Sequence, residues 1–131
     1  MTTSPPTESL DEAEINRLKS RMLMKSYFVM FRKIVAAEKL RAVMLDHYKW
    51  IIDLEQRNLV FASGPIFKRD GGPGVGMTIF KVADWDEAIE LAASDPFCLA
   101  GAAEFHVDRW QINEGRISIS IDFSDQTYVI T

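Results

Sequence analysis

The sequence has a single cysteine, no long hydrophobic run and no excess of basic residues. Cys98 has no second cysteine to pair with, so an internal disulfide is excluded. The apolar run Tyr27–Phe31 is bracketed by Lys25 and by Arg32 and Lys33, and it is far shorter than the roughly 18 to 20 residues of a membrane span. The 15 basic residues are outnumbered by 19 acidic ones, and the net charge of −4 repels a polyanion. We therefore expect neither a membrane protein nor a nucleic-acid-binding protein.

The chain has the length of one domain. Its 131 residues, 47% of them hydrophobic, can bury a core without a metal ion or a disulfide. The acidic start MTTSPPTESLDEAE has neither the cationic region nor the apolar segment of a signal peptide. We therefore expect a cytoplasmic protein.

Composition divides the chain into three pieces. Residues 1–25 are a polar tail followed by a helix, in which Ser9 and Glu12 have the spacing of a capping box. Residues 26–112 contain the main pattern of strands and helices. Residues 113–131 alternate in RISISIDF and resume in TYVI, which is typical of a β-hairpin. We interpret the N-terminal helix and the hairpin as extensions of a dimer surface.

The central piece predicts an α+β fold. Its order of strand, helix, strand, strand, helix and strand is the split βαβ (βαββαβ) arrangement of a ferredoxin-like fold with an antiparallel sheet. Two helices cover one face of such a sheet and leave the other face bare, so we expect a homodimer. The predicted elements are Tyr27–Phe31, Ala37–Gln56, Leu59–Ser63, Met77–Val82, Asp84–Asp95 and Ala103–Ile112.

Two polar residues are candidates for acid–base chemistry. His47 lies on the apolar stripe of the first central helix, seven residues after Leu40 and four before Ile51, so its imidazole points at the sheet or at a cleft beside it. Asp95 stands before Pro96, which ends the second helix and holds the carboxylate at a helix junction. Two simpler interpretations stay open: His47 is a core histidine bonded to a backbone carbonyl, and Asp95 only caps the next turn.

Candidates for substrate binding are basic and aromatic. The loop KRDGGPGVG, Lys68–Gly76, matches neither a dinucleotide-binding nor a Walker motif. A plain hairpin connection is the more frequent structure for such a loop, and the functional alternative is a flexible lid whose Lys68 and Arg69 meet an anionic substrate. An enolate or phenolate intermediate would need a cation beside it, and Arg32 and Lys33 are candidates for this role together with Lys68 and Arg69. The aromatic candidates for a pocket as wide as one ring are Phe28, Trp50, Phe67 and Phe97.

Other reactive side chains favour simpler interpretations. Glu104, His106 and Asp108 alternate along the last central strand and share one face, where they resemble a divalent-metal site. A solvated face or a dimer seam explains them more simply, so we predict no metal and no cofactor. Cys98 lies among apolar residues and is interpreted as a small buried hydrophobic residue rather than a nucleophile.

Several motifs together resemble the YciI-like (YCII-related) family. They are the helix histidine in LDHYKWI, FASGP at the end of the second strand, and the run GMTIFKVADWDEAIELAASDPFCLAGAAEFHVDRW. The resemblance covers about Tyr27–Ile112. It implies a dimeric α+β barrel of ferredoxin-like subunits, with an active site built from the helix histidine and the aspartate of the Asp-Pro-aromatic motif, here His47 and Asp95. One branch of the family is a dehydrochlorinase that acts on chlorinated hydroxyhydroquinones, so the resemblance also implies lyase-like chemistry.

Three functions follow from these patterns. The favoured one is a cofactor-independent enzyme that uses His47 and Asp95 as a general base for elimination or isomerisation of a small, aromatic or phenolic molecule. The alternative is a non-catalytic module that binds a small ligand or a partner protein. A third is an oxygenase that uses no heme and no flavin. The expected partners are a second copy of the chain and a small-molecule substrate.

Overall fold

The computed structural model describes residues 9–72 and 74–131. The chain forms two compact units, one of residues 26–111 and one of the two terminal segments, and each is described by itself. Within the described residues no helix combines the length and the apolar character needed to cross a membrane. In chain order the elements are α1 (Leu10–Lys19), β1 (Lys25–Ile34), a 3-10 turn (Ala37–Lys39), α2 (Leu40–Gln56), β2 (Val60–Ile66), β3 (Val75–Phe80), α3 (Trp85–Ala93), α4 (Pro96–Leu99), β4 (Ala103–Ile112), β5 (Ile119–Ile121) and β6 (Tyr128–Ile130).

The central unit has the predicted ferredoxin-like α+β fold. Its four strands lie in the order β2-β3-β1-β4, and β3 pairs antiparallel with both β1 and β2. The element boundaries differ from the prediction by a few residues. β1 continues to Ile34 and so includes Arg32, and α3 ends at Ala93, two residues before Asp95. Arg32, which the prediction placed after the first strand, therefore belongs to β1, and Asp95, which the prediction placed at the end of the helix, lies at the junction that follows α3.

The register of β1 and β3 places the core on the helix-covered face of the sheet. Phe28 pairs with Phe80 and Met30 with Thr78, and alternate residues of a strand share a face. Phe80 and Met30 are fully buried. The core cluster consists of Phe28, Met30, Leu54, Phe80, Ala88 and Ala92.

The opposite face of the sheet carries a second apolar set. Tyr27 and Val29 of β1 are buried there, and the Tyr27 ring lies 5.4 Å from the ring of Phe61. Phe31 stacks on His106 of β4 at 5.0 Å between ring centroids. Tyr27 and Val29, at the centre of this face, are therefore buried in the single chain. The homodimer, which was expected because this face would be bare, stays a prediction.

The terminal unit consists of α1 and a β-hairpin. The predicted capping box is present: the Ser9 hydroxyl accepts from the Glu12 backbone N–H, and the Glu12 carboxylate accepts from that of Ser9. The hairpin pairs Ile119 with Ile130 and Ile121 with Tyr128. Both strands are exposed along their whole length.

The buried ring of Phe80 provides a test of the core. We expect Phe80→Ala to lower the free energy of unfolding by about 3–5 kcal/mol, because it removes a fully buried ring and leaves a cavity. Phe67→Ala is the matched control, since Phe67 is 87% exposed and its loss should change stability by no more than about 0.5 kcal/mol. Urea unfolding followed by circular dichroism measures both. Equal effects of the two substitutions would contradict this core.

Candidate active site

Asp95 is held at the junction between α3 and α4. Pro96 begins α4, and the Asp95 side chain caps it by accepting the backbone N–H of Phe97 at 3.0 Å. Local capping therefore accounts for one of its contacts. The residue is nevertheless fully buried, and a buried carboxylate needs more than one donor to stay charged.

The other donors to Asp95 come from β1 and α2. Oδ2 accepts a hydrogen bond from Nε of Arg32, and Oδ1 lies 2.7 Å from Nδ1 of His47. Burial raises the pKa of Asp95, but the hydrogen bond with His47, the charge of Arg32 and the Phe97 backbone N–H together outweigh burial and hold the pKa below its usual value. Asp95 is therefore an anion at neutral pH.

The ionised carboxylate determines the tautomer of His47. A carboxylate only accepts hydrogen bonds, so Nδ1 of His47 carries the hydrogen, and in the neutral ring Nε2 has the free lone pair. Nε2 has no hydrogen-bond partner among residues 9–72 and 74–131. The Phe97 ring stacks on the imidazole, with centroids 3.9 Å apart and planes inclined by 7°. The imidazole is thus held by Asp95 at one edge and by Phe97 on one face.

Arg32 extends the polar network across the sheet. Its Nη2 donates to the Thr78 hydroxyl at 3.0 Å, and the Thr78 and Ser63 hydroxyl oxygens lie 2.7 Å apart. Arg32 pairs with Gly76 on β3, and a Cβ atom at Gly76 would lie 2.6 Å from Nη1 of Arg32. The absence of a side chain at Gly76 leaves room for the guanidinium.

His47, Arg32 and Ser63 line one cavity of about 420 Å³. This volume lies in the usual range for a small-molecule site. Most of the remaining wall is apolar and comes from α2, from β1, β2 and β3, and from Phe97 of α4. The lining residues are Arg32, Ile34, Leu40, Met44, His47, Tyr48, Ile51, Ser63, Gly64, Pro65, Gly74, Val75, Gly76 and Phe97.

The predicted substrate-binding aromatics fall into two groups. Phe97 lines the cavity, whereas Phe28 is 4% exposed in the core, with its ring 5.1 Å from that of Trp85. Trp50 lies behind the cavity wall. Its ring is 5.7 Å from the His47 ring, and its N–H donates to the Ser94 hydroxyl at 2.9 Å. Trp50 thus packs beside His47 without lining the cavity, and Phe28 belongs to the core.

The basic residues of the predicted lid, Lys68 and Arg69, do not line the cavity. Phe67, Lys68 and Arg69 are exposed in the segment between β2 and β3, whereas Gly74, Val75 and Gly76 are the residues of the predicted lid that line the cavity among those the structure describes. His47 and Asp95 form a hydrogen-bonded dyad, and the cation next to this dyad is Arg32. Arg32 is one of the four residues predicted as candidates for a cation that faces an anionic substrate or intermediate. Arg32 lies on the core face of β1 because it follows Phe28 and Met30 at two-residue steps.

Thr78, Ser63 and Gly76 were not predicted as site residues. The sequence pattern of β3 could have indicated two of them, Thr78 and Gly76. In β3 the polar Thr78 and the small Gly76 alternate with Phe80 on the face that must be buried. Ser63 has no comparable signal, because a serine before Gly-Pro at a strand end is common in loops.

The remaining reactive side chains are not part of this network. Nε2 of His106 lies 3.6 Å from Oδ2 of Asp108, and both side chains are largely exposed. In the part of the chain that the structure describes, no group of three potential ligands is close enough to hold a metal ion. Burial and the negative charge of Asp95 raise the pKa of Cys98 to about 11 despite the opposing charge of Arg32, so its thiol is protonated at neutral pH.

The chain matches one protein family and is similar in fold to a solved enzyme structure. The sequence model of the YCII-related domain matches residues 24–111. No curated protein matches the chain. Among solved structures, the fold is similar to 5-chloro-2-hydroxyhydroquinone dehydrochlorinase from Burkholderia phenoliruptrix AC1100 in complex with 2,5-dihydroxybenzoquinone. The TM-score is 0.54 at 22% identity, over 64% of this chain and 92% of that one.

The contact between Gly76 and Arg32 gives a matched pair of substitutions. We expect Gly76→Ala to cost about 1–3 kcal/mol of stability, because the new methyl group displaces a guanidinium held by Asp95 and Thr78. Gly64→Ala should be close to neutral, since no atom lies within 4 Å of a Cβ at that position. Chemical unfolding of both variants measures the difference. A neutral Gly76→Ala would show that Arg32 does not need this space.

The lowered pKa of Asp95 predicts a pH dependence of stability. A group whose pKa falls on folding stabilises the protein above its unfolded value, and this contribution is lost as the pH falls through the lower folded value. We therefore expect the unfolding free energy of the wild type to decrease below about pH 4 more steeply than that of Asp95→Asn. Urea titrations between pH 2.5 and 7 measure both slopes. Parallel slopes would mean that Asp95 does not contribute in this way.

Proposed function

The chain belongs to the YCII-related domain family, and from this membership and the geometry of the cavity we propose that it is an enzyme of small-molecule, aromatic catabolism in which His47 is the general base. One observation carries the proposal. A histidine on an apolar cavity wall is hydrogen-bonded through Nδ1 to a buried, ionised aspartate, and its Nε2 has no partner in the described part of the chain. A core histidine would need a partner for both ring nitrogens.

The proposed reaction begins with proton transfer to His47. Nε2 takes the proton from a phenolic O–H or an acidic C–H of the substrate, and the Asp95 carboxylate stabilises the imidazolium that forms. In an elimination, the ring reacts in a keto form in which the carbon that bears the leaving group is saturated. The electron pair of the broken O–H or C–H bond then forms a new C=O or C=C bond, chloride departs with its bonding pair, and His47 releases the proton to water. In an isomerisation, His47 returns the proton to another carbon. Neither route needs an oxidant or a cofactor.

The charges around the cavity suit an anionic intermediate. With neutral His47, the charges of Arg32 and Asp95 cancel. After proton transfer the three residues together carry one positive charge, opposite the negative charge left on the substrate. Because the cavity wall is mostly apolar, this pair of charges attracts more strongly than in water. A phenolate or an enolate is therefore the favoured product of the first step.

The size and lining of the cavity support a substrate with one ring. The aromatic side chains of Phe97 and Tyr48 line the cavity beside His47, and much of the rest of the wall is aliphatic. The fold is shared with an enzyme named as a dehydrochlorinase of a chlorinated hydroxyhydroquinone, which supports elimination from such a ring as the reaction class. We propose that the protein acts in the cytoplasm as a homodimer.

Substitution of the dyad tests the proposal. We expect His47→Ala and Asp95→Asn to lower kcat by about 10²–10⁴-fold, because a general base contributes a factor of this size. Turnover of chlorinated and unchlorinated hydroxyhydroquinones, followed by absorbance, measures the loss, and circular dichroism checks the fold.

His106→Ala is the matched control, since this other histidine is largely exposed and outside the cavity. It should keep the wild-type rate. If all three variants turn over equally, His47 is not the base. If the wild type binds these compounds but converts none of them, the protein is a binding module.

A further inference from the structure

The direction of the hydrogen bonds that lead from Arg32 determines where the Ser63 proton lies. Nη2 of Arg32 can only donate, so at 3.0 Å the Thr78 oxygen is the acceptor. Thr78 is fully buried, and its hydroxyl partners among the described residues are Arg32 and Ser63. The one proton of Thr78 therefore goes to Ser63, whose oxygen lies 2.7 Å away. The opposite direction would leave a buried donor without an acceptor.

Ser63 is left with a free donor that the cavity can use. Its oxygen accepts from Thr78, so its own O–H has no partner among residues 9–72 and 74–131. Ser63 belongs to the edge strand β2, is exposed, and lines the same cavity as His47. The positive charge of Arg32 polarises this chain of hydroxyl groups toward the cavity.

We infer that Ser63 is a substrate-binding residue whose hydroxyl donates a hydrogen bond to a substrate oxygen that becomes negatively charged when His47 removes a proton. Thr78 is the positioning residue that orients it. The inference rests on the proposed function and narrows its substrate class to molecules with an ionisable ring hydroxyl or a carbonyl conjugated to the reacting carbon. A donor aimed at a developing oxyanion stabilises the charged state more than the neutral one.

Ionisation of a bound phenol tests this without a known substrate. 4-Nitrophenol is the probe, because the absorbance of its anion reports ionisation directly. We expect the wild type to lower the pH at which the bound probe ionises, and Ser63→Ala to reduce the ionisation constant of the bound probe roughly tenfold, as for the loss of one hydrogen bond to a charged group. Arg32, His47 and Tyr48 also face the cavity but are unchanged in this variant, so the difference isolates Ser63.

Two variants of Thr78 and one control complete the experiment. Thr78→Val should shift the probe in the same direction as Ser63→Ala, and Thr78→Ser, which keeps the hydroxyl, should restore the wild-type value. Ser120→Ala is the control, since Ser120 is an exposed residue of β5. A purely structural role of Thr78 would alter stability without this pattern of loss and rescue.

The outcomes distinguish a failure of the Ser63 inference from a failure of the proposed function. If the probe binds and Ser63→Ala ionises it as the wild type does, the role of Ser63 is overturned and the general base is untouched. If the wild type binds the neutral phenol in preference to the anion, the narrowed substrate class is overturned. If the wild type does not bind the probe at all, both the inference and the phenolic cavity of the proposed function are contradicted.

Discussion

A single buried carboxylate organises the structure around the cavity. Asp95 accepts hydrogen bonds from β1, from α2 and from the first turn of α4, through Arg32, His47 and the Phe97 backbone. Removing a carboxylate from water costs several kcal/mol, and only donors in good geometry offset that cost. Because Arg32 and His47 are 63 and 48 residues away along the chain, the three elements must come together for the charge to be tolerated. Formation of the site and packing of the central unit are therefore coupled.

The topology was predictable because it depends on local patterns. The strands and helices of the central unit follow from hydrophobic periodicity and from capping residues such as Asp84, whose carboxylate accepts the Glu87 backbone N–H. The pair of His47 and Asp95 was also predicted as a site from helix spacing and from the resemblance to the family. The structure adds the contact between them, while their catalytic role stays a prediction.

The surroundings of the dyad depend on strand register, which local patterns do not specify. Pairing of β1 with β3 brings Arg32 opposite Gly76 and near Thr78, and β2 then places Ser63 beside Thr78. A shift of one residue would turn Arg32 to the other face. Because the sequence does not specify the register, it also does not show whether an aromatic residue such as Phe28 lines a cavity or fills the core.

The two walls of the cavity belong to parts of the fold that differ in their freedom to change. The proposed base and its aspartate are carried by α2 and by the α3–α4 junction, where the hydrogen bonds of the buried Asp95 carboxylate restrict substitution. Another part of the wall is formed by β2, which is a sheet edge, and by Gly74 in the segment that follows it. Loops and edges accept substitution and insertion more readily than cores do. Substitutions that reshape the cavity are therefore tolerated more readily in β2 and the segment after it than at the buried carboxylate on which the packing of three elements depends.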